Sequence, residues 1–218
     1  MYQTGHSAKE SDKEMCYQMP EYFLTNYPVK PLINSEPCYE SIGYAGNMYG
    51  RFHQFDIRRA AWQSLLAGAS AGITYGAGGV YSWHEYGKHF SPCIGEGFDM
   101  PHPWQIALHY PGAWDYSDIK HIFCEYKITD LNPRQDILLN ETKEIRIAEY
   151  QNRYFIYVPE NTTIKLKIDI NDIESITILD LETRRKEIGN KYKKDGICCL
   201  EMHTFGHDVL YIVELKNI

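Results

Sequence analysis

The sequence predicts an α/β layer over residues 1–130 followed by a small all-β antiparallel domain over residues 131–218. Two patterns carry this reading. Before residue 130, short apolar stretches suited to buried strands alternate with amphipathic helical stretches, the order of a parallel α/β layer. Beyond Asn132-Pro133, polar and apolar residues alternate at period two between turn-forming clusters, the order of half-buried antiparallel strands. With 44% hydrophobic residues among 218, the chain has enough apolar side chain for a sizeable core.

The elements follow in chain order. A short helix is expected over 19–24. The stretch 32–36 lies among prolines at 28, 31 and 37 and is too short for a helix, so it reads as a buried strand that stops at Glu36. Over 57–69, Ala61, Trp62, Leu65, Leu66 and Ala69 recur on one helical face, and Gly68 and Gly72 mark the end. Residues 72–83 read as a strand and a glycine-rich turn carrying Tyr75, Tyr81 and Trp83; helical stretches over 104–110 and 113–126 come next. In the second half, 163–170 alternates without a fault, and further strands fit 145–150, 153–158, 175–181, 197–202 and 209–215. Their separators are turn residues such as Gln151-Asn152, Asn171-Asp172 and Lys194-Asp195-Gly196. Short strands at this spacing predict a β-sandwich.

Charge and composition exclude several classes of partner. A formal net charge of -7 opposes binding to a phosphate backbone, so no nucleic-acid partner is expected. The basic clusters Arg184-Arg185-Lys186 and Lys191 with Lys193-Lys194 stand beside turn residues and read as solvated loops. No apolar run approaches the length of about 18 residues that a bilayer requires, so no membrane partner is expected either. The cysteines at 16, 38, 93, 124, 198 and 199 form no CxxC pair and no zinc spacing, which suggests reduced thiols in a cytoplasmic setting. Adjacent Cys198 and Cys199 should point to opposite faces, one into the core and one outward. His102, His109 and His121 share no face with an acidic partner, and no Gly-Lys-Ser/Thr follows the glycines at 76–79; no metal and no cofactor is expected. The N-terminus carries no basic-then-apolar leader.

The residue that most suggests chemistry is Glu36. A carboxylate where a buried strand of a parallel layer stops lies on the rim that carries catalytic groups in an eight-stranded barrel. Its ordinary alternative is a loop cap or an ion-pair partner.

Four motifs sharpen the reading: Tyr2-Gln3-Thr4-Gly5-His6-Ser7, Lys30-Pro31-Leu32-Ile33-Asn34-Ser35-Glu36-Pro37-Cys38-Tyr39-Glu40, Arg58-Arg59-Ala60-Ala61-Trp62, and Thr74-Tyr75-Gly76-Ala77 through Trp83. In order and spacing they resemble the apiosidase-like glycoside hydrolases. The resemblance implies the last three β/α units of a (β/α)8 barrel, followed by a small antiparallel β-sandwich of the collagen-binding type. It implies that 3–6 ends the sixth strand, 32–36 is the seventh and 73–83 belongs to the eighth. A whole barrel takes about 250 residues, so the missing N-terminal barrel half is expected as a partner, on the same or a separate chain, and the chain reads as a fragment.

By that resemblance Glu36 is the nucleophile of a two-carboxylate retaining mechanism acting on a carbohydrate substrate. The acid/base belongs near the fourth strand, which this chain does not contain. Glu40 lies past the rim and reads as a supporting residue. His6 matches a rim residue that hydrogen-bonds a sugar hydroxyl or the nucleophile, with a solvent-facing histidine as the alternative. Tyr39 and Tyr75 orient Glu36 or contact sugar, or are buried barrel tyrosines with satisfied hydroxyls. Trp83 is a candidate stacking platform, with a core tryptophan as the alternative. Asp56 orders the loop before Arg58-Arg59 or caps a helix, and the His84-Glu85 pair reaches the pocket or is simply solvated. The isolated chain is expected to be inactive. A second reading, from another class, is a carbohydrate- or protein-binding module with a vestigial barrel remnant. Exposed aromatics among Tyr150, Tyr154, Tyr157, Tyr192 and Tyr211 would favour it.

Overall fold

A computed structural model describes residues 1–46, 48–90 and 100–216. The chain divides into two compact units, one of Met1–Leu65 with Ala69–Lys127 and one of Leu66–Gly68 with Ile128–Ile218.

The first unit is built on a parallel sheet of β1 (Tyr2–Gln3), β2 (Ile33–Glu36) and β3 (Gly72–Ile73), which lie side by side in chain order. The middle strand pairs with both neighbours, Gln3 opposite Glu36 and Asn34 opposite Ile73. Its central place explains why a polar residue of β2, Asn34, is fully buried. The Asn34 amide donates to Ser64 Oγ at 3.1 Å and Thr4 Oγ1 at 3.3 Å, which offsets the cost of taking it out of water. The stretch 72–83 is strand only at its first two residues, and the glycines that follow form a turn.

Helices α1 (Glu10–Lys13) and α2 (Met15–Asn26) connect β1 to β2. The helix expected over 19–24 thus begins earlier and runs through Pro20. A proline inside a helix frees the carbonyl four residues back. Here that carbonyl is Cys16 O, and the buried Tyr2 hydroxyl donates to it at 3.3 Å, tying the helix to β1. Helix α3 (Gln54–Leu66) connects β2 to β3 and starts ahead of the expected residue 57. The cause is Asp56, whose carboxylate accepts the His53 N–H at 2.9 Å, the reach-back half of a capping box. Its helix-cap alternative is the arrangement observed. One face of α3 buries Ile57, Ala61, Trp62, Leu65 and Leu66.

After β3 come α4 (Trp104–Ala107) and α5 (Gly112–Glu125). Arg58 on α3 is buried, and its Nη1 lies 3.0 Å from Asp115 Oδ2 on α5, with Gln54 Nε2 donating to the same oxygen at 3.0 Å. Arg58 thus joins two helices, whereas Arg59 pairs with Asp56 of its own helix at 3.7 Å.

The second unit contains nine strands among the described residues: β4 (Asn132–Pro133), β5 (Arg146–Tyr150), β6 (Arg153–Val158), β7 (Ile164–Leu166), β8 (Ile173–Asp180), β9 (Lys186–Ile188), β10 (Lys191–Lys194), β11 (Ile197–Leu200) and β12 (Val209–Leu215). They form two antiparallel sheets, ordered β4-β5-β6-β12-β8-β9 and β10-β11-β7. One apolar cluster draws on both sheets, with Ile147, Ile156, Ile178, Tyr211 and Val213 from the larger and Ile164, Leu166, Cys198 and Leu200 from the smaller.

Three sequence expectations change here. The alternating run 163–170 is a strand only over Ile164–Leu166, because Lys167 N–H turns to Ile137 O at 2.8 Å and Asp169 caps a 3-10 turn at Ile170–Asp172. The two basic clusters, expected as loops, lie partly in β9 and β10. Cys198 and Cys199 are both buried, so neither face of β11 is open at these residues. Strands β6 and β12 are likewise buried on both faces, in keeping with their unbroken apolar runs Tyr154-Phe155-Ile156-Tyr157-Val158 and Val209-Leu210-Tyr211-Ile212-Val213.

Candidate functional site

Glu36 is the last residue of β2. Its backbone carbonyl accepts the Thr4 N–H at 3.0 Å and the Gly5 N–H at 3.1 Å, so the chain leaving β1 folds over the end of β2. Gly5 makes that turn with φ +66, a region that glycine enters without steric cost. The turn delivers His6 beside the Glu36 side chain.

The carboxylate of Glu36 is partly open, with 33% of the side chain exposed. Gln3 Nε2 donates to Oε2 at 2.7 Å, and His6 Nε2 stands 3.6 Å from Oε1. The other nitrogen of His6, Nδ1, accepts the Tyr39 N–H at 3.3 Å. An imidazole that accepts at Nδ1 carries its proton at Nε2, which here faces Glu36. The motif Tyr2-Gln3-Thr4-Gly5-His6-Ser7 marks His6 as a rim residue and gives no role to Gln3. The signal was present: Gln3 closes one strand as Glu36 closes its parallel neighbour, and parallel strand ends lie side by side.

Tyr39 packs against His6 with ring centroids 4.5 Å apart and against Tyr81 at 5.7 Å. Burial first, and then the Glu36 charge, push its phenol above the ordinary tyrosine range. The ring lies flat on Gly76, where an added Cβ would sit 2.2 Å from Tyr39 Cδ1. An added Cβ would also meet backbone at Gly78, 2.9 Å from Ile42 N, and at Gly79, 2.4 Å from His102 O. The glycine-rich turn is therefore a close-approach surface that lets the loop after β3 lie against the loop after β2.

Tyr75 is directed elsewhere. Its hydroxyl donates to Glu40 Oε2 at 2.7 Å rather than reaching Glu36, and burial together with that neighbouring carboxylate raises its phenol far above the usual range. Glu40 is buried and also accepts the Gly112 N–H, at 3.1 Å on Oε1 and 2.9 Å on Oε2. Burial raises its carboxyl above the ordinary glutamate range, with the Tyr75 and Gly112 donors pulling the other way.

Trp83 is 60% exposed and stacks on Trp104, with centroids 4.6 Å apart and planes 9° from parallel. It is a surface indole, not a core one. His84 is buried, its backbone N–H donating to Gly79 O at 2.9 Å and its carbonyl accepting from Trp104 N at 2.8 Å, so it anchors the turn. Glu36, His6, Gln3 and Tyr39 are thus brought together; Tyr75 joins Glu40, and Trp83 joins Trp104. Among the described residues no group of three or more His, Cys, Asp or Glu side chains is placed to hold a metal ion, and no helix is long and apolar enough to cross a membrane. Cys93 and Asn47 lie outside the described residues; the other five cysteines are free thiols.

In the second unit, three of the tyrosines that bear on a binding module are core residues. Tyr154, Tyr157 and Tyr211 are buried, with the Tyr157 hydroxyl on Asp208 Oδ2 at 3.0 Å and the Tyr211 hydroxyl on Glu201 O at 2.8 Å.

Residues 1–130 match the family model described as "Apiosidase-like, catalytic domain". Among curated proteins no sequence matches the chain. Of solved structures, one named "Glycoside hydrolase" superposes with TM-score 0.80 at 19% identity, covering 98% of this chain and 52% of its own. A glycoside hydrolase family 5 structure from Bacteroides vulgatus ATCC 8482 gives TM-score 0.81 at 20% identity, covering 98% of this chain and 50% of its own. The chain spans about half the length of these structures, and at such identities the likeness is one of fold.

Proposed function

The chain belongs to the apiosidase-like family, and from that premise we propose that it is the nucleophile-bearing portion of a retaining glycoside hydrolase, with Glu36 as the nucleophile. The observation that carries this reading is the holding of one carboxylate at the end of the central parallel strand. Gln3 fixes Oε2, and Oε1 faces His6 in a partly open position. In the retaining mechanism such an oxygen attacks the anomeric carbon while an acid protonates the departing oxygen; the glycosyl-enzyme ester is then hydrolysed by water.

The three parallel strands serve on this reading as the last three β/α units of a (β/α)8 barrel, whose rim carries the chemistry. The two antiparallel sheets of the second unit form the accompanying β-sandwich of the collagen-binding type. Glu40 is not the acid, because both its oxygens are engaged by Tyr75 and Gly112 inside the unit. The acid belongs to the portion of the fold that the longer structural relatives carry and this chain does not span, so the chain alone is inactive. His6 and Tyr39 line the sugar site beside Glu36, and Trp83 offers a flat exposed ring to a more distant sugar. On this reading the substrates are side chains of plant or other polysaccharides, and the family's name is the reason to include apiosides among those tried.

The test is hydrolysis of a panel of aryl glycosides, apiosides included, by the complete catalytic unit. Glu36→Gln should lower turnover by several orders of magnitude with the fold intact. Turnover that survives the substitution would remove Glu36 from the nucleophile role.

A further inference from the structure

The loop after β2 is clamped on every side at one residue beyond Tyr39. Glu40 N–H donates to Gly76 O at 2.9 Å, and Glu40 O accepts the Gly78 N–H at 2.7 Å, a parallel bridge to the loop after β3. The side chain then reaches in a third direction. It takes the Tyr75 hydroxyl and the Gly112 N–H that opens α5. Gly112 is needed there, since an added Cβ would lie 2.4 Å from Glu40 Oε2.

We infer that Glu40 is a positioning residue that sets the tautomer of His6 through the Tyr39 backbone. The path is short and runs through hydrogen bonds. Glu40 joins the loop after β2 to Tyr75, Gly76, Gly78 and Gly112; the preceding residue, Tyr39, presents its N–H to His6 Nδ1; and His6 then holds its proton at Nε2, facing Glu36 Oε1. A carboxylate suits the task because Tyr75 O–H and Gly112 N–H are both donors, and an ionised glutamate offers acceptors on both oxygens. An amide at the same place would turn two N–H donors toward one of these donors. The anchor at the start of α5 adds the favourable field of a helix N-terminus.

This rests on the proposed role of Glu36 only for its catalytic meaning; the tautomer itself exists without substrate. The experiment is nitrogen-15 NMR of the His6 ring in the full chain, for wild type, Glu40→Gln and Tyr75→Phe, with circular dichroism to establish that each is folded. Wild type should show a single tautomer, protonated at Nε2. Glu40→Gln should show averaged ring-nitrogen shifts from exchange between tautomers, and Tyr75→Phe a smaller change in the same direction. If Glu40→Gln fails to fold, Tyr75→Phe decides. A folded variant whose His6 tautomer is unchanged would overturn the inference. Since no turnover is measured, an error in the proposed reaction leaves this result readable, and Glu36→Gln tests that reaction separately.

Discussion

Gly76→Ala is the perturbation that most sharply tests how the site is held. The Cβ of an alanine would lie 2.2, 2.4 and 2.6 Å from Cδ1, Cε1 and Cγ of Tyr39. Ordinary carbon contacts lie at about 3.5–4.0 Å, so the ring must retreat by more than about 1 Å. It has little room, with His6 on one side at 4.5 Å and Tyr81 on another at 5.7 Å. Forcing atoms into a filled site costs about 1–3 kcal/mol. The backbone of Gly76 lies outside the left-handed region, so alanine suffers no conformational penalty and recovers up to about 1 kcal/mol through the unfolded chain. The expected net loss is therefore about 1–2 kcal/mol, measured by urea unfolding. A double-mutant cycle isolates the cause: in a Tyr39→Ala background the steric penalty should vanish, giving a coupling energy of about 1–3 kcal/mol. Additivity of the two substitutions to within about 0.5 kcal/mol would refute the packing account.

Two further outcomes follow from buried charges. Asp115→Ala strands the Arg58 guanidinium without its carboxylate and should cost about 3–5 kcal/mol in urea unfolding, whereas replacing both residues by apolar ones of similar size should recover most of that loss. At Asp180, burial opposes the charge, yet donors from Thr183, His207 and the backbone of Glu182 and Thr183 prevail and hold the carboxyl at about 2, below the ordinary 3.8. A depressed carboxyl contributes stability that is complete above the unfolded value and is lost as the pH falls from about 3.8 to about 2. Asp180→Asn should flatten this acid limb of a melting-temperature profile by an amount corresponding to about 2 kcal/mol; an unchanged limb would mean that the donors do not favour the charged form.

The sequence carried the strand that ends at Glu36, because prolines on both sides leave only one short apolar run and one place for the carboxylate. It carried the face of α3 through its helical period, and the strands 153–158 and 209–215 through short apolar runs bounded by turn residues. What it did not carry depends on partners distant in the chain. The helix expected over 19–24 begins instead at Met15 and runs through Pro20, where the Tyr2 hydroxyl takes up the freed Cys16 carbonyl. The pattern of 163–170 is strand-like throughout, yet hydrogen bonds to Ile137 and at Asp169 end the strand early. Tyr75 and Tyr39 are indistinguishable as candidate partners of Glu36 until the fold gives one of them Glu40. The turn at 76–79 was legible as glycine-rich but not as a surface for Tyr39, since nothing local says which ring will lie on it.

The central claim is that Glu36 forms a covalent bond to the sugar. The direct measurement is mass spectrometry of the complete catalytic unit after incubation with an activated 2-deoxy-2-fluoro glycoside, which slows hydrolysis of the ester more than its formation. One added glycosyl mass is expected on the peptide containing Glu36, absent from Glu36→Gln. Turnover of the parent glycoside with the label on another carboxylate would contradict it.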